Sequence, residues 1–265
     1  MTKHGMIRPA AVAGYFYPQE SAGLLSQVQK LLAENTVHTP PPKALIVPHA
    51  GYVYSGPIAA RAYNALAGLR GTIRRVVLLG PAHRVALHGL ALPSVEAFQT
   101  PLGDIRLDRQ AAAQLEALPQ IMVSDQAHAL EHSLEVQLPF LQAMLVNFTL
   151  VPLVVGQAQA AEVAEVLEKL WDGKETLVVI SSDLSHYHPS DRARQLDAAT
   201  ANHIENLDSP ISEHQACGAH PVNGLLQMAR RLKLHVQRLD LRNSGDTAGT
   251  PERVVGYGAW AFYEV

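Results

Sequence analysis

The segments ALIVPH (44–49), RVVLLGPAH (75–83) and LVVISSDLSH (177–186) share one pattern. In each of them, a hydrophobic run with the length of a buried strand leads into a loop that carries a histidine. Open α/β sheets bind ligands in the crevice beyond the carboxyl ends of their strands. The three strand-end histidines, together with Asp183, are therefore predicted to share one polar pocket at one edge of a sheet, and histidine is the commonest metal ligand.

The composition favours a single domain over residues 1–265. The chain has 265 residues with 48% hydrophobic content, which suits one large core better than two small ones. The net charge is −3 and basic residues form no run longer than a pair, so neither nucleic-acid binding nor a polybasic membrane anchor is expected.

Cysteine usage and the apolar stretches predict a cytoplasmic protein. Cys217 is the only cysteine, which rules out a disulfide within the chain and favours a reducing compartment. No apolar stretch has the length of a signal-peptide core or a transmembrane helix. The sequence therefore predicts no association with a membrane.

Strand and helix patterns alternate along the chain. This alternation predicts an α/β fold with helices on both faces of a central sheet that is mostly parallel or mixed. One helix is expected to open near Pro57, and a longer helix is expected over 130–145, with Pro139 breaking or kinking it. Pro152, inside the apolar run 148–156, predicts an edge strand or a bulge.

Two strand-end motifs offer candidate ligands. PHAGYVYSG (48–56) ends a strand at Pro48 and directs His49 into the crevice, and Tyr54 either lines the pocket or packs. In LGPAH (79–83), the turn signal Gly80-Pro81 likewise ends a strand, and His83 is the candidate ligand that follows it. The alternative for each motif is an ordinary turn that carries a histidine satisfied inside the core.

The motif HALEHSLEVQLP (128–139) gathers two histidines and two glutamates. Its order differs from the H-E-x-x-H of zinc proteases, so that interpretation is rejected. His132 is predicted to reach the pocket as an acid–base group or as support for a ligand. For Glu131 the favoured interpretation is a helix N-terminus, where the dipole attracts a carboxylate.

Two further motifs complete the candidate site. SSDLSHYHPSD (181–191) places Asp183 three residues before His186, as in a base and its orienting carboxylate, while Ser190 caps the next helix. CGAHP (217–221) places Cys217 just before a helix, where a thiolate is favoured, although free cysteines are also often simply buried. A site of two histidines and a cysteine would suit zinc, copper or iron.

At these motifs the sequence resembles the Memo family, whose bacterial and archaeal members are known as protein B of the AmmeMemoRadiSam system. The resemblance spans nearly the whole chain in consistent order. It rests on GYFYP (14–18), PHAGYVYSG (48–56), LGPAH (79–83), TPLGD (100–104), EHSLEVQLPFL (131–141), SSDLSH (181–186), CGAHP (217–221), NSGD (243–246) and VVGYGA (254–259). The family is similar in fold to class III extradiol dioxygenases, which hold non-haem Fe(II) with two histidines and a glutamate.

The resemblance implies roles for particular residues. It implies that His49 and His83 are the two shared histidine ligands and that Cys217 replaces the dioxygenase glutamate. Asp183, His186 and Tyr54 match residues that line the pocket. Phe16 stands where animal members carry tryptophan, so the aromatic ring is kept and the indole N–H is lost.

Three functions follow as hypotheses. The first is a metal-dependent oxidoreductase with Fe(II) or copper, zinc being possible, at His49, His83 and Cys217. In it, His186 moves protons, Asp183 orients His186, and His132 assists. The second is a non-catalytic module that binds a peptide or small molecule. The third is a metal carrier that serves a radical-enzyme partner protein.

Overall fold

The hydrophobic runs that end in histidines form neighbouring strands of one mixed sheet. The structure is a computed structural model and describes residues 6–171 and 173–264. Its strands are β1 Ile7–Arg8, β2 Ala44–Val47, β3 Arg75–Pro81, β4 Leu90–Leu92, β5 Ala97–Thr100, β6 Gly103–Arg106, β7 Ile121–Val123, β8 Thr149–Val155, β9 Thr176–Ser181, β10 His186–His188, β11 His235–Asn243 and β12 Val254–Tyr263.

The sheet has a parallel centre and antiparallel flanks. Its order is β10-β12-β2-β9-β3-β8-β4-β7, and β11 pairs with β12. Strands β2, β9, β3 and β8 run parallel, whereas β12 and β4 run antiparallel to their neighbours β2 and β8. The strands β2, β3 and β9 therefore end at the same edge, which is where His49, His83 and Asp183 follow them.

Helices cover both faces of this sheet. Side chains alternate along β2, so that Leu45 and Val47 enter one hydrophobic cluster while Ala44 and Ile46 enter the other. The helices are α1 Ser21–Glu34, α2 Tyr52–Asn64, α3 Arg109–Leu115, α4 Asp125–Ala129, α5 Leu138–Met144, α6 Ala160–Leu170, α7 Ser190–Glu205 and α8 Ala219–Leu232. The first cluster takes residues from α1, α2 and α5, and the second from α3, α6, α7 and α8.

The predicted α/β fold with helices on both faces is confirmed. A separate small sheet, in the order β1-β5-β6, adds to it. Within the described residues, no helix combines the length and the apolar character needed to cross a membrane.

Two helix predictions were wrong at their boundaries. Helix α2 begins at Tyr52, so Pro57 lies inside it and Tyr54 belongs to its first turn rather than to a loop. The predicted helix over 130–145 is interrupted, because α4 ends at Ala129 and α5 begins only at Leu138, with Pro139 in its first turn. The segment between them is irregular apart from a 3₁₀ turn at Glu135–Gln137.

The prediction for Pro152 was also wrong, because β8 lies between β3 and β4 in the sheet. Pro152 aligns with Leu78 of β3. On its other side β8 pairs with β4 only at Val154 and Val155. The missing N–H of Pro152 thus falls where β4 offers no partner, and an interior strand tolerates the proline.

Candidate metal centre

Three histidines converge at the carboxyl edge of the sheet. His49 follows β2, His83 follows β3, and His132 lies in the irregular segment before α5. One candidate ligand atom from each lies within 4.8 Å of the other two, the one such group of metal-binding side chains in the described chain. The ring centroid of His49 lies 5.2 Å from that of His83 and 5.4 Å from that of His132.

The carboxylate of Glu131 contacts two of these histidines, His83 and His132. Its Oε2 accepts the backbone N–H of His83 at 2.6 Å, and its Oε1 lies 3.0 Å from Nδ1 of the same ring. The same Oε1 accepts the backbone N–H groups of His132 and Ser133, each at 2.9 Å. Burial alone would raise the pKa of Glu131, but the bonds from His132, His83 and Ser133 outweigh it and lower the pKa. Glu131 is therefore a carboxylate that orients His83, and the predicted helix N-terminus was wrong.

A hydrogen-bond chain fixes the tautomer of His49. Nε2 of Gln137 donates to the Pro48 carbonyl at 2.9 Å and to Oγ of Ser181 at 2.8 Å. The Ser181 hydroxyl donates its only proton to the Ser133 carbonyl at 2.6 Å. Its Oγ must then accept from Nδ1 of His49, 2.8 Å away. His49 consequently carries its proton on Nδ1 and presents an unprotonated Nε2.

The surroundings of His49 keep it neutral. Burial lowers the pKa of His49, and the nearby His83 and His132 lower it further. A neutral imidazole with a free Nε2 is the form that binds a metal. Nδ1 of His132 is buried without a hydrogen-bond partner, although it lies 3.3 Å from Oε1 of Glu131. These are the properties expected of residues that hold a metal ion.

Cys217 stands beside His49 and not in apolar surroundings. Its Sγ lies 3.3 Å from Nε2 of His49 and accepts the backbone N–H of Asp183 at the same distance. Burial raises the pKa of Cys217, and the Asp183 carboxylate raises it further, against hydrogen bonds from the backbone and Ser182. The thiol form is therefore favoured here without a metal, in contrast to the thiolate that the helix N-terminus was expected to favour.

Asp183 and His186 approach the site without bonding to each other. Oδ1 of Asp183 accepts the backbone N–H of His49 at 2.7 Å. Nδ1 of His186 lies 2.7 Å from the Leu184 carbonyl, which fixes its proton on Nδ1 and leaves Nε2 towards solvent or a ligand. Leu184, rather than the expected Asp183, thus orients the His186 ring.

Two aromatic side chains, Phe16 and Tyr54, form what we call the aromatic rim of the site. The ring of Phe16 lies 4.7 Å, centroid to centroid, from that of His132. Tyr54 is 39% exposed on the first turn of α2, so it can contact a ligand. Tyr52, the other tyrosine of the motif, is buried and donates to the Val136 carbonyl at 2.8 Å.

Comparison with known proteins gives the family. A model of the family described as Memo-like protein matches residues 8–261. The chain belongs to the Memo family. It is similar to MEMO1 family proteins of Sulfolobus acidocaldarius, with 36% identity over 95% of this chain and 98% of the relative, and of Thermoplasma volcanium, with 35% identity over 96% and 97%.

A bacterial relative and one solved structure extend the comparison. The MEMO1 family protein of Aquifex aeolicus is 34% identical over 95% of this chain and 97% of its own length. The crystal structure of an uncharacterized protein from Escherichia coli K12 covers 80% of this chain and 98% of its own, with 15% identity and a TM-score of 0.49. The predicted membership of the Memo family is confirmed.

In this Memo family member, four of the predicted site residues gather around His49. His83 and His132 contact its ring, Cys217 contacts its Nε2, and the backbone of His49 binds Asp183. Sequence reasoning missed three supporting residues, namely Glu131, Gln137 and Ser181. The first and second belong to the quoted motif EHSLEVQLP, but only long-range contacts show what they hold.

Proposed function

We propose that the protein holds one iron or copper ion at the histidine cluster and uses it for redox or dioxygenase-like chemistry on a small molecule. The observation that carries this proposal is the convergence of the ligand atoms of His49, His83 and His132 within 4.8 Å. Nδ1 of His49 is hydrogen-bonded to Ser181, and Nδ1 of His83 is hydrogen-bonded to Glu131. The Nε2 atom of each ring therefore remains available to bind a metal.

The donor set suits iron or copper best, with zinc as a third candidate. Imidazole nitrogens bind all three metals, and a thiolate adds a soft ligand that copper and iron accept. His49 and His83 are common to every ligand set considered. His132 is the third residue whose ligand atom lies within 4.8 Å of those of both other histidines, and Cys217, 3.3 Å from Nε2 of His49, is the alternative third ligand or a fourth.

Chemistry at this site would divide between the metal and the surrounding side chains. When bound at His49, His83 and a third ligand, iron or copper would supply redox chemistry for the conversion of a small substrate. His186 holds a proton on Nδ1 against the Leu184 carbonyl and offers Nε2 as a proton acceptor. Asp183 is buried, and burial raises its pKa above the usual range while its bond from the His49 backbone opposes this rise. It fixes the backbone of His49.

Metal analysis of protein purified without oxygen tests the proposal. We expect about one equivalent of iron or copper per chain, and loss of most of it in His83→Ala. The matched control is His88→Ala, which removes an exposed histidine outside the cluster and should leave the metal content unchanged. A parent protein that binds no more metal than His83→Ala would reject the metal centre.

The third ligand is decided by a pair of variants. Cys217→Ser keeps the size of the side chain and removes the soft ligand, and His132→Asn keeps a polar group and removes the imidazole. If Cys217 is a ligand, the serine variant should bind iron or copper at least tenfold more weakly. Bound metal should also protect this single thiol from alkylation. If neither effect appears and His132→Asn loses the metal, the three histidines are the ligand set.

The alternative function is binding without catalysis. Exposed Tyr54 and the ring of Phe16 beside His132 favour a peptide or small ligand at the aromatic rim. A metal carrier for a radical-enzyme partner is the remaining candidate, and it would release the ion to that partner without turning over a substrate. Metal-loaded protein that neither consumes dioxygen nor changes oxidation state with any small reductant would favour these alternatives.

A further inference from the structure

We propose that a small polar molecule, neutral or positively charged, reaches the proposed metal centre through a cleft on the Cys217 side. We call this feature the acidic cleft and define it by Gln157, Glu162, Glu213, His220 and Cys217. Its role as the substrate entrance rests on the proposed function, whereas its shape and charge do not.

Two adjoining cavities form the acidic cleft. The inner cavity has a volume of about 320 Å³ and is lined by Cys217 together with Pro81 and Ala82, the residues just before His83. The outer cavity has a volume of about 690 Å³. Both are lined by His88, Gln157, Glu213 and His220, so the outer cavity continues into the inner one. Volumes of this size are typical of small-molecule sites.

Backbone contacts hold one wall of the cleft in place. The N–H of Gly89 donates to the Gln157 carbonyl at 2.9 Å, and the N–H of Gln157 donates to the Leu87 carbonyl at the same distance. A Cβ at Gly156 would lie 2.1 Å from the Leu87 oxygen, and one at Gly89, where φ is +78°, would lie 2.2 Å from the Gln120 oxygen. Only glycine permits this close approach of the two segments, so the wall is a built feature of the fold.

The other wall is held by His220 and carries a carboxylate. Nδ1 of His220 lies 2.7 Å from the Ala158 carbonyl, and its Nε2 lies 2.9 Å from Oε1 of Glu213. These contacts tie the start of α8 to the loop before α6 and hold Glu213 at the junction of the two cavities.

The lining of the cleft is acidic and rich in amides. Glu162 and Glu213 are its carboxylates, Gln120, Gln157 and Gln159 its amides, and His88 and His220 its imidazoles. Of the described residues that line either cavity, none is lysine or arginine. Such a surface favours amines and hydroxyl groups and repels anions. The proposed ligand is therefore an amine- or hydroxyl-bearing small molecule and not a phosphorylated or carboxylated one.

Cys217 reports on this cleft because it is the only thiol of the chain and lines the inner cavity. The experiment compares two thiol reagents of similar size, the cationic trimethylammonioethyl methanethiosulfonate and the anionic sulfonatoethyl methanethiosulfonate. Each rate on chelator-treated protein is divided by the rate with β-mercaptoethanol, which removes intrinsic reactivity. At low ionic strength and about pH 8, where carboxylates are charged, we expect the cationic reagent to be favoured about fivefold or more.

Charge variants show where the preference arises. The double variant Glu162→Gln/Glu213→Gln should lose most of the preference, because it keeps both side-chain sizes and removes the carboxylates. Glu34→Gln, which removes an exposed glutamate on α1, should keep it. High salt should also weaken the preference in the parent, since screening acts on exposed charges.

The remaining outcomes separate a failure of the acidic cleft from a failure of the proposed function. Failure of both reagents to label Cys217, where neutral methyl methanethiosulfonate still labels it, would show that the cavities do not admit molecules of this size to the thiol. Equal rates for the two reagents, or a faster rate for the anionic one, would reject the negative charge of the cleft. A preference for the cationic reagent that persists in the double variant would show that Glu162 and Glu213 are not its source. A preference that follows the prediction in a protein that binds no metal would keep the cleft and reject the proposed function alone.

Discussion

Glu131 and Glu135 lie four residues apart in one motif and are both buried, yet they are satisfied by different kinds of partner. Glu131 is surrounded by His83, the backbone of the following two residues and the ring of His132. Glu135 forms an ion pair with Arg8 at 2.5 Å and accepts from Tyr17 at 2.6 Å. It also accepts the backbone N–H groups of Ala11 and Val12.

The difference separates the carboxylate of the proposed metal centre, which we call the functional carboxylate, from a structural one. Arginine is always charged, so the Arg8–Glu135 pair is permanent and ties the segment 8–17 to the motif. The histidines around Glu131 each have a second ring nitrogen that can bind another ligand. A buried carboxylate can thus have either of two roles. It can hold segments of the fold together, or it can orient side chains that still have an atom free to bind a cation.

Breaking the structural carboxylate should produce the largest effect. Arg8→Met keeps the length of the side chain but leaves Glu135 buried and uncompensated, so the free energy of unfolding should fall by about 3–5 kcal/mol. Chemical denaturation measures this loss. Arg84→Met, at an exposed position, is the control and should change stability by less than about 0.5 kcal/mol. A loss below about 1 kcal/mol for Arg8→Met would show that the pair is not needed.

A second test concerns His128, which lies three residues before Glu131. The imidazole of His128 has a structural role. Its Nε2 lies 2.9 Å from the Ala91 carbonyl, and burial lowers its pKa from 6.5 to about 4. The folded state therefore binds this proton more weakly than the unfolded state does. Stability from this residue is fully present above pH 6.5 and is lost as the pH falls to about 4. The loss should reach about 3 kcal/mol.

The measurement is the free energy of unfolding of metal-free protein between neutral pH and about pH 4. His128→Gln can still donate to the Ala91 carbonyl, and it should flatten the pH dependence by that amount relative to the parent. The exposed His38→Gln should leave the slope as it is. Equal slopes in the parent and in His128→Gln would mean that the buried His49, whose pKa is also lowered by burial, accounts for the acid sensitivity.

The contrast between the two glutamates also explains what the sequence could predict. Hydrophobic runs define β2, β3 and β9 locally, and the rule for strand ends then places His49, His83 and Asp183 together. The segment around His132 has no such local signal, because it is held by contacts of Glu131 with residues that lie far away in sequence. Periodicity alone therefore predicted a helix there, and the role of Glu131 was missed.

Breaking the functional carboxylate should affect metal more than folding. Glu131→Gln can keep the acceptor for the backbone N–H groups of His132 and Ser133, but it removes the negative charge and the oxygen that accepts the backbone N–H of His83. We expect metal affinity to fall about 10–100-fold, as for other partners of metal-binding histidines. Titration of chelator-treated protein with iron or copper measures this fall. Glu34→Gln, the same change of charge at an exposed position of α1, controls for net charge.

If Glu131→Gln lowers the free energy of unfolding as much as Arg8→Met does, the two carboxylates have the same structural role. The distinction between them would then fail. A folded variant with the metal affinity of the parent would show instead that the histidines need no carboxylate. Circular dichroism of each variant before titration separates these results.

The smallest expected effect is at Ser181, which holds His49 through a single hydroxyl. Ser181→Ala removes the acceptor that keeps the proton of His49 on Nδ1, while the Gln137 amide and the Ser133 carbonyl each lose one bond. Metal affinity should fall about tenfold, at the low end of the range for such partners, because the ring stays buried and is still packed by its neighbours. Stability should fall by about 1–2 kcal/mol. Ser181→Thr keeps the hydroxyl and should restore the affinity even if the added methyl lowers stability.

NMR of ring nitrogens in protein with ¹⁵N-labelled histidine would show a mixture of tautomers for His49 in Ser181→Ala and only the Nδ1-protonated form in the parent. An unchanged tautomer in Ser181→Ala would place the control of His49 in Cys217 instead, the other side chain that contacts its ring nitrogens.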